Sequence, residues 1–138
     1  MEFLPGVHLI PGIMWSRIYL IEDKTLTLVD SGPPWSAGRV MRYVRAIGRD
    51  PSELEQVLIT HSHPDHSSSA LEISKRTGAR ILAHAGDTKT HSNEEVSLHY
   101  LGVFGSLGAP LPFLRRTPVS QSVENGHVLP IRDGLRVI

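Results

Sequence analysis

The residues of this chain that are best suited to chemistry lie in one short run, residues 61–66, which reads His-Ser-His-Pro-Asp-His. Three imidazoles and one carboxylate fall within six positions, directly after the apolar stretch Val57-Leu58-Ile59. Neutral imidazole and carboxylate are the ligands of zinc and similar transition metals. A single histidine is usually a surface or packing residue, but this density of donors favours a metal site.

The spacing of the donors predicts two adjacent metal positions. Alternate side chains of an extended segment share a face, so His61 and His63 can point at one ion. Pro64 cannot continue a strand and turns the backbone, so that Asp65 and His66 face a second point nearby. Two metals roughly 3.5–4 Å apart can share one hydroxide and hold the attacking and leaving oxygens of a hydrolysis. The alternative is a solvated, histidine-rich turn without a metal.

The elements that must hold this run alternate between strands and helices. Apolar segments predict strands over residues 7–11, 16–21, 26–29, 57–60 and 78–84. Apolar residues at helical spacing predict a helix over 35–48, with Ser36 as its N-cap and Gly48 as its stop. The serines at 67–69 can cap a second helix that Gly78 closes. This alternation predicts an α/β fold with layered helices, in which a loop after a strand is the usual place for a site.

The last third of the chain contains two turn signals. Asn125-Gly126 between apolar pieces is a strong hairpin signal, and Arg132-Asp133-Gly134 fits a second hairpin turn. The apolar residues from 135 onwards predict a buried strand. Residues 86–118 mix glycine and proline with apolar side chains, which suits equally a substrate lid or partner surface and an ordinary loop packed on the core.

Composition narrows the class of protein. The 138 residues carry 14 basic and 14 acidic side chains, so the formal net charge is zero and gives no electrostatic case for nucleic acid or a membrane surface. Without cysteine, the chain has neither disulfides nor thiolate zinc sites. We find no signal-peptide pattern and no apolar run approaching roughly 18 residues. We therefore expect a cytoplasmic protein acting on a small molecule, with a tendency to form homo-oligomers.

Four arginines lie off the apolar stripe of the first predicted helix, at positions 39, 42, 45 and 49. A basic helix face can bind an anionic partner, but a solvated face is the commoner explanation, and we adopt it here.

The motif and its flanks resemble the metallo-β-lactamase superfamily of hydrolases. The resemblance rests on His-x-His-x-Asp-His at 61–66, on the strand pair at 19–23 and 26–29, and on the Asp-Ser-Gly turn at 30–32. It covers residues 1–87 and treats 86–120 as a variable insertion. It implies that residues 1–138 form a single, partial domain, the first half of an αβ/βα sandwich.

The same resemblance implies one or two metal ions, most often zinc and sometimes iron or manganese. His61 and His63 would belong to the first metal position, and Asp65 and His66 to the second. Asp65 would also orient the attacking water, and Asp30 would lie behind the ligands. A third histidine, a bridging aspartate and a last histidine are implied as well, and we expect the chain to be truncated before the first of them.

Two functions follow from these residues. The first is a metal-dependent hydrolase whose metal-bound hydroxide attacks an ester, thioester, lactone, amide or phosphoester bond. The second is a catalytically silent fragment that binds metal or a partner without turnover; a di-iron redox relative is a third option. Because a catalytic zinc normally takes three protein ligands, we expect the 138-residue chain alone to bind zinc weakly and to hydrolyse poorly.

Overall fold

A computed structural model describes residues 1–90, 96–98, 117–132 and 134–136 of the chain. The helices within these residues are α1 (Ala37–Ala46), α2 (Pro64–Ser67) and α3 (Ala70–Thr77). The strands are β1 (Glu2–Leu4), β2 (Val7–Leu9), β3 (Tyr19–Glu22), β4 (Leu26–Val29), β5 (Leu54–Ile59), β6 (Arg80–His84), β7 (Thr88–Thr90), β8 (Val96–Leu98), β9 (Gln121–Val123), β10 (Val128–Leu129) and β11 (Leu135–Arg136).

One sheet combines an antiparallel half with a parallel half. Strands β1 to β4 pair antiparallel in chain order, and β5, β6 and β9 then follow β4 in parallel. Helix α1 connects β4 to β5, and α2 and α3 connect β5 to β6, as parallel neighbours require. The predicted α/β layering is therefore confirmed. Because β4 and β5 are parallel neighbours, the residues that follow them meet at one edge of the sheet.

Alternation of side chains along the strands divides the apolar core between the two faces of the sheet. On one face, Val57 and Ile59 belong to a buried cluster with Val40 of α1 and Ile73 of α3. On the other face, a smaller cluster includes residues of β6 and β9 and the residues around β10. Leu58, which alternates with Val57 and Ile59, packs against this second cluster. The larger cluster holds both helices against the strands that carry loop 61–66.

Two local predictions differ from the structure in detail. Strand β5 begins at Leu54, earlier than predicted. The polar side chain of Gln56 can be buried in the sheet because its amide donates to the Thr27 hydroxyl at 3.1 Å. Ser36 stands at an N-cap position, as predicted, but its side chain does not cap α1. Ser69 stands at the N-cap of α3, and its hydroxyl donates instead to the Pro33 carbonyl at 2.5 Å. The Ser69 hydroxyl therefore links the start of α3 to the turn before α1 instead of capping its own helix.

The predicted hairpin at Asn125-Gly126 is wrong. The strands on either side of this turn lie in different sheets, since β9 pairs with β6 and β10 pairs with β11. Gly126 has a φ of 87°, so the dipeptide makes the left-handed turn that it favours without pairing its flanks. The second predicted hairpin is confirmed, with Leu129 opposite Leu135. Leu135 is only half-buried and Arg136 is exposed, so the described part of β11 is not the buried strand we expected.

Much of the predicted insertion lies outside the described residues. Within it, β7 and β8 form a separate antiparallel pair. Whether residues 86–118 act as a lid or as a packed loop therefore stays a prediction. Among the described helices, none combines the length and the apolar character needed to span a membrane.

The turn after β4 packs without spare room. Asp30 has a φ of 61° and Gly32 a φ of 77°, both in the left-handed region. Asp tolerates this region better than most residues, and Gly enters it without steric cost. A Cβ at Gly32 would lie 2.6 Å from Ser36 Oγ and 2.8 Å from Ile18 Cδ1. The turn is therefore fixed by its backbone conformation and by its neighbours.

We predict that Gly32→Ala destabilises the fold more than Gly48→Ala. Gly48 has a φ of 83°, but a Cβ there meets nothing within 4 Å, so it controls for the backbone cost alone. That cost is about 1–2 kcal/mol, and the collisions at Gly32 should add about 1–3 kcal/mol. Urea unfolding of both variants measures the difference. Equal losses would show that Ser36 and Ile18 move aside freely.

Arg49, just after α1, ties the helix layer to the first strands. Its guanidinium donates to Glu22 at 2.8 Å and to Glu53 at 2.6 Å. The hydrogen bonds from Arg49 hold the pKa of each carboxyl below its ordinary value. Buried His8 lies 3.2 Å from the second oxygen of Glu22. A carboxyl with a depressed folded pKa stabilises the fold above its unfolded pKa and loses that contribution as the pH falls through the folded pKa.

We predict that Arg49→Gln lowers the free energy of unfolding at about pH 7 and has a smaller effect at about pH 3, because the carboxyls are then becoming protonated. Chemical denaturation at both pH values measures the two effects. Arg17→Gln, at an exposed position, is the control and should change neither. If Arg49→Gln cost the same at both pH values, the side chain would act by packing rather than by charge.

Candidate metal centre

The loop after β5 brings three imidazole rings together. The ring centroids of His61 and His66 lie 4.1 Å apart, and those of His61 and His63 lie 4.7 Å apart. His63 has an extended backbone, and Pro64 begins α2, so the predicted change of direction at Pro64 is confirmed. His61 and His63 therefore lie side by side, and His66 reaches them from the following helical turn.

A buried carboxylate holds this loop from behind. Asp30 directly follows β4 and is 4% exposed. Its carboxylate accepts hydrogen bonds from the Thr60 backbone N–H at 2.9 Å and from His66 Nδ1 at 2.8 Å. The Thr60 hydroxyl lies 2.9 and 2.8 Å from its two oxygens. The predicted position of Asp30 beside the loop is confirmed, and its role toward a metal stays a prediction.

These contacts determine which nitrogen of each ring carries the proton. A carboxylate only accepts, so the His66 Nδ1 in contact with Asp30 must be protonated. The single hydroxyl proton of Thr60 is directed to Asp30, so His61 Nδ1, 3.0 Å from Thr60 Oγ1, is the donor in that pair. Both rings then keep the Nε2 lone pair, the form in which a supported imidazole binds a metal.

Burial favours the neutral form of one ring. It lowers the pKa of His61, and the neighbouring His66 and His63 lower it further. Neutral imidazole is the metal-binding form. The environment of His61 thus keeps its ring ready to act as a ligand.

The backbone of His66 is held as firmly as its ring. Its carbonyl accepts hydrogen bonds from the Ser31 N–H at 2.7 Å, the Gly32 N–H at 3.1 Å and the Ser31 hydroxyl at 2.9 Å. The Ser67 hydroxyl lies 3.0 Å from the His63 carbonyl. The turn at 30–32 therefore fixes His66 from both its ring and its backbone.

The spacing of Asp65 and His66 fits two ligands of one ion. Asp65 Oδ2 lies 3.4 Å from His66 Nε2. Two ligands at about 2.0–2.1 Å from a tetrahedral zinc stand about 3.3–3.4 Å apart. Within the described segments, no three His, Asp or Glu side chains are already arranged around one point. The donor set therefore fits a metal as a ligand pair, with His61 and His63 alongside.

Two residues that hold the loop in place were not predicted from the sequence. Thr60 holds Asp30 and His61 at once, and Asp87 accepts a hydrogen bond from the Ser62 N–H at 3.1 Å. Asp87 ends the short helical turn Ala85–Asp87 directly after β6. The sequence could have indicated Asp87, because Asp87 follows the predicted strand at 78–84. The carboxyl ends of neighbouring parallel strands lie at one edge of the sheet, so residues that follow them come close together. His84 is exposed and accepts a hydrogen bond from the Gly86 N–H at 3.0 Å, which gives it a turn-forming role.

A cavity of about 460 Å³ lies beside the loop, within the size range of small-molecule pockets. Thr60, His84 and Asp87 supply part of its polar wall, next to the loop, although none of the four candidate ligands lines it. Its other lining residues are Val29, Leu58, Ile59, Val123, Leu135 and Arg136.

Comparison with known proteins places these features in a family. A metal-dependent hydrolase of Thermoplasma volcanium is 40% identical over 73 residues, which is 51% of this chain and 30% of the relative. A hydroxyacylglutathione hydrolase of Acidiphilium cryptum is 33% identical over 82 residues, 55% of this chain and 32% of the relative. A metallo-beta-lactamase of Cronobacter sakazakii with a HARLDQ motif superposes with a TM-score of 0.74 at 20% identity, over 95% of this chain and 50% of that one.

The chain thus spans about a third of the length of these two relatives and half of that structure. The structural match establishes a shared fold. The family model described as the metallo-beta-lactamase superfamily matches residues 16–135, a range that includes Asp30 and loop 61–66. The chain therefore belongs to the metallo-beta-lactamase superfamily.

Proposed function

We propose that the protein is a metal-dependent hydrolase that acts on an ester, thioester, lactone, amide or phosphoester bond, with zinc as its metal and iron or manganese as alternatives. The observation that carries this proposal is the pair formed by Asp65 and His66. His66 is held by Asp30 so that its Nε2 lone pair is available 3.4 Å from Asp65 Oδ2. The family to which the chain belongs supports the same reaction class.

Asp65 and His66 would hold one metal position, and His61 and His63 an adjacent one. A divalent ion bound there supplies a Lewis acid that lowers the pKa of a water molecule and polarises the bond to be cleaved. Asp65 Oδ1 makes no hydrogen bond within the described residues, and we assign it to orienting that water. Asp30 and Thr60 keep the imidazoles in one tautomer and one orientation.

A thioester is the first substrate class to test. One relative is a hydroxyacylglutathione hydrolase, whose name specifies a glutathione thioester. The zero formal net charge supports a small molecule rather than a polyanion as substrate. The alternative function is metal or partner binding without turnover. Metal binding with no hydrolysis across ester, thioester, lactone, amide and phosphoester substrates would favour that alternative.

In a form of the protein that also carries the second half of the fold, we predict that Asp65→Asn and His61→Ala each reduce turnover by about 100-fold or more, because each removes a proposed metal donor and Asp65 would also orient the water. Steady-state hydrolysis of a glutathione thioester measures the effect. Glu55→Gln, at an exposed carboxyl, and His127→Ala, a histidine far along the chain from the motif, are the matched controls and should retain activity. Activity that survives Asp65→Asn would remove Asp65 from the reaction.

We predict that, in the same longer form of the protein, Asp30→Asn weakens zinc binding by about 10- to 100-fold, because the amide cannot accept from Thr60 and His66 together without turning its NH₂ group toward a donor. Competition with a chromophoric chelator measures the affinity, well below the unfolding temperature of each variant. Glu55→Gln again controls for the lost negative charge. Unchanged affinity in Asp30→Asn would limit Asp30 to a structural role.

A further inference from the structure

A groove on the helix layer gathers three guanidinium groups. It has a volume of about 470 Å³, and it lies between α1, α3 and the short helical turn Pro51–Glu53. Its lining residues are Gly38, Met41, Arg42, Arg45, Pro51 and Arg76. Three of these six are arginines and none is acidic, in a chain whose formal net charge is zero. The groove is therefore a local concentration of positive charge.

The arginines along α1 and after it divide into two groups by what they contact. Arg49 is bound to Glu22 and Glu53. Arg39 lies over Gly12, where an added Cβ would meet its Nη1 at 2.5 Å. Arg39, Arg42 and Arg45 are all exposed and form no ion pair within the part of the chain that the structure describes, but only Arg42 and Arg45 line the groove. Arg49 therefore fastens the fold, and Arg42 and Arg45 line the groove.

Carboxylates at the rim neutralise this charge only in part. Glu72 pairs with Arg76 one helical turn away, on the exposed side of α3. Asp50 is hydrogen-bonded mainly by Ser52, and the charge of Arg45 adds a smaller contribution to its lowered pKa. Exposed pairs of this kind are weak and readily exchanged. The groove thus retains an excess of positive charge.

The helix dipoles explain the positions of only some of the arginines in the groove. Gly38 stands in the first turn of α1, although glycine is among the poorest helix formers. A Cβ there would lie 3.7 Å from Arg42 Nη1, an ordinary van der Waals distance, so the guanidinium of Arg42 lies along the first turn of the helix. Arg45 and Arg76 lie in the last turns of their helices, where cations are favoured anyway. The helix dipole does not account for Arg42, which lies one turn earlier than Arg45.

We propose that this groove binds a small molecule bearing a diphosphate or a larger phosphate group. Guanidinium forks match phosphate oxygens with two parallel hydrogen bonds each. Met41 and Pro51, both buried, supply an apolar floor for the remainder of the ligand. The volume lies within the range of small-ligand pockets.

The groove and loop 61–66 are separate sites. Pro51 precedes β5 and His61 follows it, and the six residues of β5 span roughly 20 Å. The bound phosphate compound would therefore not be the substrate of the metal centre. Its binding does not depend on the hydrolysis proposed above.

Titration with inorganic pyrophosphate tests the proposal. The protein is first treated with EDTA and then freed of it, so that a metal in loop 61–66 does not add phosphate binding. Calorimetry should show one saturable site that weakens with salt, and amide NMR shifts should centre on Gly38, Arg42 and Arg76 rather than on loop 61–66. The double variant R42Q/R45Q should weaken binding by about tenfold or more.

The matched control is the double variant R17Q/R80Q, which removes two exposed arginines outside the groove and should leave the affinity within about twofold. Equal weakening by the two double variants would overturn the site in favour of non-specific attraction. Absence of saturable binding, or shifts centred on loop 61–66, would also overturn it. Tight binding of a single-stranded oligonucleotide without binding of pyrophosphate would also contradict the proposal, because it would show that the groove binds nucleic acid and not a small phosphate compound.

Discussion

The candidate site depends on one buried carboxylate, that of Asp30. A carboxylate that is 4% exposed is costly unless its oxygens accept hydrogen bonds. Here the backbone and hydroxyl of Thr60 and the ring of His66 satisfy it. The same bonds that make burial tolerable fix the tautomers of His61 and His66. The stability of the fold and the orientation of these two rings therefore have a common cause.

The carboxylate reaches its partners because of the pairing between β4 and β5. Val29 stands opposite Leu58, and the Asp30 N–H continues the pairing by donating to the Leu58 carbonyl at 2.8 Å. A slip by one residue would turn each side chain of β4 to the opposite face of the sheet. Buried Leu26 and Leu28 oppose such a slip, because they would leave the helix-covered core. The hydrophobic pattern of β4 thus also positions Asp30.

Local patterns in the sequence predicted the elements around the site well. The apolar runs of β4, β5 and β6 and the density of donors at 61–66 are short-range signals, and Pro64 turns the chain where expected. The partner of β9 was not predictable in the same way. A glycine turn at Gly126 is compatible with a hairpin, and only the distant strand β6 decides otherwise. The contact of Asp87 with Ser62 likewise joins two loops that only the parallel sheet brings together.

The arginines of α1 show how side chains that look equivalent in sequence acquire different tasks. Arg39, Arg42, Arg45 and Arg49 all lie off the apolar stripe, and a single explanation, a solvated face, seemed sufficient for all four. The fold places Gly12 beside Arg39 and Glu22 beside Arg49, and it leaves the other two next to Arg76. At their first turns, α1 and α3 are already joined by the Ser36 N–H, which donates to the Ser69 hydroxyl at 3.1 Å. The arginine groove lies between the same two helices, from Gly38 in the first turn of α1 to Arg76 in the last turn of α3. The helix pair beside loop 61–66 is therefore joined by neutral hydrogen bonds at the helix starts and carries an excess of positive charge along the groove.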